Sequence, residues 1–265
     1  MLDPWEIAAI LSGSVALEAA SPGKPGSVSS WVGSGGLDLA DFIFSVPYLA
    51  RALTDSLSMP ACNRVVRVLK AAAEIRGSRV VGKNTVSGYV VLTAPLTAIL
   101  EELGNEGLGA ITVHWGTVEA CLRSIRAGEL FRAVSGGGVR HLHGFVGETH
   151  LSTLLDEYSV SSLYDINCWE VISRYSITRE AAEGVPCDIP PHEAVRNIFF
   201  RIGAEFVDTS VLKSLGSGWG LVSREAIVRG GDEVLRTNGV NLGSIADLTA
   251  LATAFWVIRC AGNNR

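Results

Sequence analysis

Apolar residues return at three- and four-residue intervals in segment after segment of this chain, a spacing that restricts it to amphipathic helices packed on one another. Near the N-terminus, Ile7, Ile10, Leu11, Val15 and Ala19 fall on one helical face. Asp3, Pro4 and Glu6 ahead of them supply an N-cap, a first-turn proline and a capping-box acid. This helix is expected to end near Ser21. Val65, Val68, Leu69, Ala72 and Ile75 form a second stripe closed by Gly77, and residues 90–103 form a third closed by Gly104. Further helices are expected over 117–127, 151–158, 163–175, 192–207, 223–228 and 244–260, separated by short Gly-rich gaps. Apolar–polar alternation is confined to two weak stretches, SRVVGKN (78–84) and VRHLHGFVG (139–147). The pattern predicts an all-α fold: one compact multi-helix domain over residues 1–265, with any pocket formed by interhelical loops.

Composition narrows the partners. Hydrophobic residues make up 48% of the chain and charged residues 18%, so much of each helix should be covered by other helices, which argues against disorder. The net charge of −5 comes without a long acidic or basic run, which argues against nucleic acid or an anionic membrane as a partner. The longest uncharged segment, between Lys83 and Glu101, is interrupted by Asn84, Thr85, Ser87 and Pro95 and lacks the roughly 18 apolar residues of a membrane span. It reads as a buried helix. The N-terminal MLDPWEIAAIL has no basic segment and no small-residue cleavage site, which points to the cytoplasm. Cys62, Cys121, Cys168, Cys187 and Cys260 are odd in number, far apart and without a CxxC pair, so buried free thiols are expected rather than a disulfide framework. The high apolar content leaves room for a homodimer.

Three gaps between helices carry unusual chemistry. SPGKPGSV (21–28) sets Lys24 between two Pro/Gly breaks and is followed by GSGGLDLADF, which places Asp38 and Asp41 in the first turns of the next helix. GKNTVSG (82–88) lets backbone amides approach an anion, with Asn84 and Thr85 beside them. VDTSVLKSLGSGWG brackets a third gap with Asp208 and Lys213. Taken singly, each is better explained by caps and solvated loops.

Their order along the chain resembles the triphosphoribosyl-dephospho-CoA synthase family, all-helical enzymes that join ATP to dephospho-CoA with loss of adenine. Glu18 ahead of KPGSV resembles the family's E…KPG segment, and LDLADFIFSV its acidic helix entry. GKNTVSGYVVLTAPL resembles the GxNT helix start through Gly82, Asn84, Thr85 and Gly88. FVDTSVLKSLG resembles a DT segment, and NLGSIADLTALATAFWVI the terminal NPGxxAD helix start. Val86 stands where the better-studied branch has histidine, Leu242 where it has proline, and SGGG (135–138) where it has PGG.

The resemblance implies that the 2′-hydroxyl of dephospho-CoA, or a related acceptor, displaces adenine at C1′ of ATP. Such a site needs a carboxylate to take the hydroxyl proton or to face an oxocarbenium-like transition state, and Glu18, Asp41 and Asp208 are the catalytic candidates. Lys24, Gly26, Gly82, Asn84, Thr85, Lys213 and Asn241 are expected around ATP and its phosphates. Mg²⁺ is expected with the triphosphate, with Asp38, Asp41 and Asp247 as candidate ligands. Asp247 also stands three residues after Ser244, the spacing of a capping box. Two alternatives remain open at this level: a nucleotide-binding regulatory homologue without turnover, and a metal-dependent hydrolase using the His141/His143 pair, with His150 nearby.

Overall fold

The computed structural model describes residues 1–128, 130 and 153–263. Among them there are helices and two isolated bridges, Ser34–Leu37 and Arg126–Thr153, but no strand. The all-α expectation holds.

Local chemistry explains where the first helices begin. Helix α1 (Pro4–Ala20) opens on the capping box foreseen, with Glu6 N–H donating to Asp3 at 2.8 Å and Asp3 N–H donating to Glu6 at 2.7 Å. Helix α2 (Leu39–Ser56) uses the same device through Asp38 and Asp41. Helix α3 (Ala61–Gly77) carries the second apolar stripe, and Val65, Val68 and Leu69 are fully buried.

The single helix expected over 90–103 is instead three pieces: α4 (Ser87–Thr93), a 3₁₀ turn (Pro95–Ile99) and α5 (Leu100–Glu106). Pro95 has no N–H to give and breaks the ladder at that point. The segment is nonetheless almost wholly buried, as its lack of charge implied. Two short helices follow, α6 (Gly109–Val113) and α7 (Trp115–Ser124). After the undescribed segment come α8 (Leu154–Ser161), α9 (Ile166–Ile172) and α10 (Ser176–Glu183). The helix expected over 163–175 stops early because Arg174 and Tyr175 adopt left-handed φ values of 60° and 61°. Glu170, at 0% exposure, reaches across this break and accepts N–H bonds from Ile177 (3.1 Å) and Thr178 (2.7 Å) at the start of α10. The chain then forms α11 (Pro191–Glu205), α12 (Thr209–Leu215), α13 (Ser217–Arg229), α14 (Asp232–Thr237) and the long α15 (Gly243–Asn263).

Helix α15 is the axis of the molecule. Helices α1, α4, α10, α11 and α12 pack on it, and Leu248, Leu251 and Phe255 are completely enclosed. Thr249 and Thr253, buried on the same helix, return their hydroxyl protons to the carbonyls of Ile245 and Thr249 at 2.7 and 2.8 Å, so their burial leaves no unmet donor. By length and composition alone α15 could cross a bilayer, but 67% of that apolar window is buried against other helices. An apolar helix of this kind is accounted for by a core position.

Four of the five cysteines correct the sequence reading. Cys62 at the head of α3 is bonded to Cys121 of α7, and Cys187 before α11 to Cys260 of α15, with Cα–Cα distances of 4.7 and 5.4 Å. Separations of 59 and 73 residues leave no local signature of such pairs. Helix packing creates them. Cys168 is a buried free thiol, as expected.

Candidate active site

The C-terminal end of α1 carries Glu18 into the interior, and the following loop folds back over it. Glu18 is 3% exposed and Lys24 2%. The Lys24 ammonium donates to the Glu18 carboxylate, to the Glu18 backbone carbonyl (2.5 Å) and to the Val28 carbonyl (3.0 Å). All three of its protons are therefore engaged inside the protein, away from the phosphate-facing role expected of it. Burial is the leading influence on both partners. It pushes the Glu18 carboxyl above its ordinary range and the Lys24 ammonium below its own, while their mutual attraction opposes both shifts.

Glu18 forms part of the wall of a cavity of about 150 Å³. The GxNT-like segment contributes Asn84, Thr85, Ser87 and Gly88, and the start of α15 contributes Gly243, Ala246 and Asp247. Ser27 and Val28 come from the KPGSV loop, Leu37 and Phe42 from the entry to α2, and Ser210 and Asn241 from the segments flanking α13 and α14. Segments spread over more than 220 residues thus converge on one cavity. Thr85 is held there by a 2.6 Å hydrogen bond with Ser45, whose hydroxyl also contacts the Asp41 carbonyl. Asn241 is held by its carbonyl, which accepts from Ser210 Oγ at 3.2 Å, and Gly35 passes so close that a Cβ there would strike the Asn241 side chain. Gly26, at φ 66°, ties the KPG loop to this region: its N–H donates to Asp232 (2.9 Å) and its carbonyl accepts from Leu242 N–H (3.2 Å).

Other expected residues lie elsewhere. Asp38 and Asp41 cap α2, and Asp41 also pairs with the half-exposed Lys83 at 2.8 Å. Gly82 has φ 62° in the turn before that lysine and does not line the cavity. Lys213 pairs with Asp165, the N-cap of α9. Asp208 is 2% exposed and fully employed: one oxygen accepts from Ser210 N–H (2.8 Å), Val211 N–H (3.0 Å) and the Ser210 hydroxyl, and the other from Ile245 N–H (2.9 Å). It joins the starts of α12 and α15 in one bond network. Asp208 thus satisfies an N–H in the first turn of α15, while Asp247, one turn into the same helix, lines the cavity. His141, His143 and His150 lie outside the described residues.

The chain matches the CitG family, described as ATP:dephospho-CoA triphosphoribosyl transferase, over residues 4–264. It belongs to that family. This CitG-family chain is accordingly a transferase, and the segments that line the cavity are those whose order resembles the family pattern. No curated protein and no solved structure matches it significantly.

The chemistry of the wall is specific. Its charged members are two carboxylates, Glu18 and Asp247, accompanied by two carboxamides and the hydroxyls of Ser27, Thr85, Ser87 and Ser210, with no lysine or arginine among the described lining residues. A triphosphate brought against such a wall needs a cation to bridge it, and one or two carboxylates plus phosphate oxygens are the donor set Mg²⁺ favours. The wall fits that ion. A larger cavity of about 380 Å³ lies between the N-terminus and the end of α15, but of the family-like segments it meets only Ile258, at the far end of the last one. Ser27, Phe42 and Ser210 stand inside the family-like segments but were not singled out as site residues, because a motif does not say which of its members face the cavity.

Proposed function

We propose that this protein transfers the triphosphoribosyl group of ATP to a hydroxyl of dephospho-CoA, or of a closely related acceptor, in the cavity fronted by Glu18 and Asp247. The observation that carries this reading is that the family-like segments, distant in sequence, line one cavity rich in oxygen donors.

In the proposed step the acceptor hydroxyl oxygen bonds to C1′ of the ATP ribose while the bond from C1′ to adenine N9 breaks. The hydroxyl proton passes to Glu18, and adenine leaves with the bonding electron pair and takes up a proton. Glu18 suits the role because burial raises its carboxyl towards the working pH, where a general base is most effective. Lys24 acts behind it, holding the carboxylate in place and moderating the cost of its charge. Asp247, with Asn84 or Asn241, would hold Mg²⁺, which supplies charge neutralisation for the triphosphate. Thr85 and Ser210 offer hydroxyls to the ribose or phosphate oxygens. At about 150 Å³ the cavity is smaller than the roughly 300–1,000 Å³ of sites that enclose a whole small molecule. It suits the reacting ribose and nearest phosphates, with the remainder of both substrates lying across the loops at its rim.

The test is incubation with ATP, Mg²⁺ and dephospho-CoA, followed by chromatography for free adenine. Release that depends on the acceptor supports the proposal. ATP binding without release, with several acceptor alcohols offered, would instead identify a binding homologue that has lost turnover.

A further inference from the structure

We propose that Asn167 is a positioning residue that fixes the orientation of the Asp247 carboxylate in the cavity. This rests on the reading of the cavity given above and adds a residue that lies outside its wall.

Asn167 is completely buried in the first turn of α9, yet its amide Nδ2 donates to Asp247 Oδ2 on α15 at 3.1 Å. The two side chains meet over Gly88. A Cβ at that position would fall well inside contact distance of both Asp247 Oδ2 and Asn167 Nδ2, so the missing side chain makes room for the pair. Asn167 is itself anchored. Its N–H donates to the N-cap Asp165 at 2.9 Å, and Asp165 is paired with Lys213 of α12. The neighbouring Ile166 N–H donates to Thr209 Oγ1 at 3.2 Å, which in turn shares a 3.0 Å hydrogen bond with Ser244 at the start of α15. The end of α9 is thus bound to the helix that carries Asp247, and the amide has little freedom to drift from it.

The other half of the amide argues against a merely structural role. Asn167 Oδ1 is buried and has no hydrogen-bond partner among the described residues. Such an orphan acceptor costs stability, and an apolar side chain at this position would carry no such cost. The sequence instead keeps an amide whose one side-chain bond goes to the cavity carboxylate. Groups that hold a metal- or phosphate-facing carboxylate in one orientation commonly change ligand affinity or activity by about 10- to 100-fold when removed.

The experiment is a double-mutant cycle of Asn167→Leu and Asp247→Asn, read as the affinity for ATP in the presence of Mg²⁺ by titration calorimetry and as adenine release. Asn167→Leu alone should weaken affinity, release or both, per folded molecule, by about tenfold or more. In the Asp247→Asn background the same change should cost less than about twofold, because its target has gone. If Asn167→Leu is poorly folded, Asn167→Ala, which removes the donor without adding a charge beside Asp247, takes its place in the cycle. Additive losses, or wild-type affinity and release in the Asn167 variant, overturn the inference. Wild-type behaviour of Asp247→Asn would instead overturn the reading of the cavity, since the inference presupposes a working Asp247.

Discussion

Buried acidic groups in two regions of the protein can be set against each other, and the contrast between them shows what distinguishes a working carboxylate from a structural one. Around the breaks that precede α10 and α12, Glu170 and Asp208 sit in the core with N–H and hydroxyl donors on both oxygens. Burial raises both carboxyls above their usual range, despite those bonds. At the cavity, Glu18 is buried as deeply and shifted in the same direction, but its partner is a cation and its side chain fronts open space beside Asp247. Burial and a raised pKa are therefore shared by both regions. Access to a cavity is what separates them.

The largest effect expected from this contrast is at Glu18. Glu18→Gln should reduce adenine release by at least about a hundredfold, the scale of a lost general base, and should destabilise the fold by about 3–5 kcal/mol because Lys24 is left buried without its counter-ion. Removing both charges in Glu18→Gln/Lys24→Met should recover much of the melting temperature and none of the activity. Recovery of activity in the double variant would make the pair a structural one and dissolve the contrast.

A smaller and opposite pattern is expected at Asp208. Asn there turns an amide N–H towards a backbone N–H that now has an acceptor, so thermal denaturation should report a loss of about 1–3 kcal/mol while turnover per folded molecule stays near wild type. A hundredfold loss of turnover at unchanged melting temperature would return Asp208 to the chemistry, where sequence reasoning had placed it.

Glu170 sharpens the comparison through pH. Its ordinary pKa is 4.5 and its folded value is raised, so the unfolded chain releases this proton first as the pH rises. The stability contribution is complete below about pH 4.5 and is lost as the pH rises through the folded value. Glu170→Gln removes this titration, and its melting temperature should decline less than the wild type's between about pH 4 and about pH 8, with adenine release unaffected. An identical slope in both proteins would show that Glu170 is not held above its ordinary value.

The smallest effect is expected at Asp41. The asparagine amide oxygen can still accept the Asp38 N–H, and the ion pair lost to Lys83 is partly exposed, so Asp41→Asn should change stability by no more than about 1 kcal/mol and leave turnover within about threefold. A large loss of ATP affinity in this variant, measured by calorimetry, would extend the working region beyond the cavity to the head of α2.

Much of the helical framework was legible because its signals are local. Asp3 and Glu6 cap α1 as their spacing requires, and the stripe from Val65 to Ile75 is the buried face of α3. The breaks at Pro95 and at Tyr175 were misread. The first lies in an apolar run that looks continuous by composition, and the second depends on Glu170 supplying acceptors from the preceding helix. In the candidate site, Glu18, Asn84, Thr85, Asn241 and Asp247 were all singled out by motif order, and all line the cavity. Lys24, Asp208 and Lys213 were singled out in the same way, but their side chains are engaged with internal partners. A motif records that a residue is required near a site without saying whether it faces the ligand or supports a neighbour.

What the sequence by itself determined was the class of structure and the identity of the segments that meet: periodic apolar faces, caps and glycine-rich gaps act over three or four residues and need no tertiary information. Which atoms face the cavity, which carboxylates are consumed as caps, and which cysteines pair was decided by tertiary structure alone. Cys187 and Cys260 lie 73 residues apart, and Asn167 reaches Asp247 across 80. Contacts over such distances depend on how helices stack around α15, and an orientation set by that stacking leaves no trace in the spacing of the residues that make it.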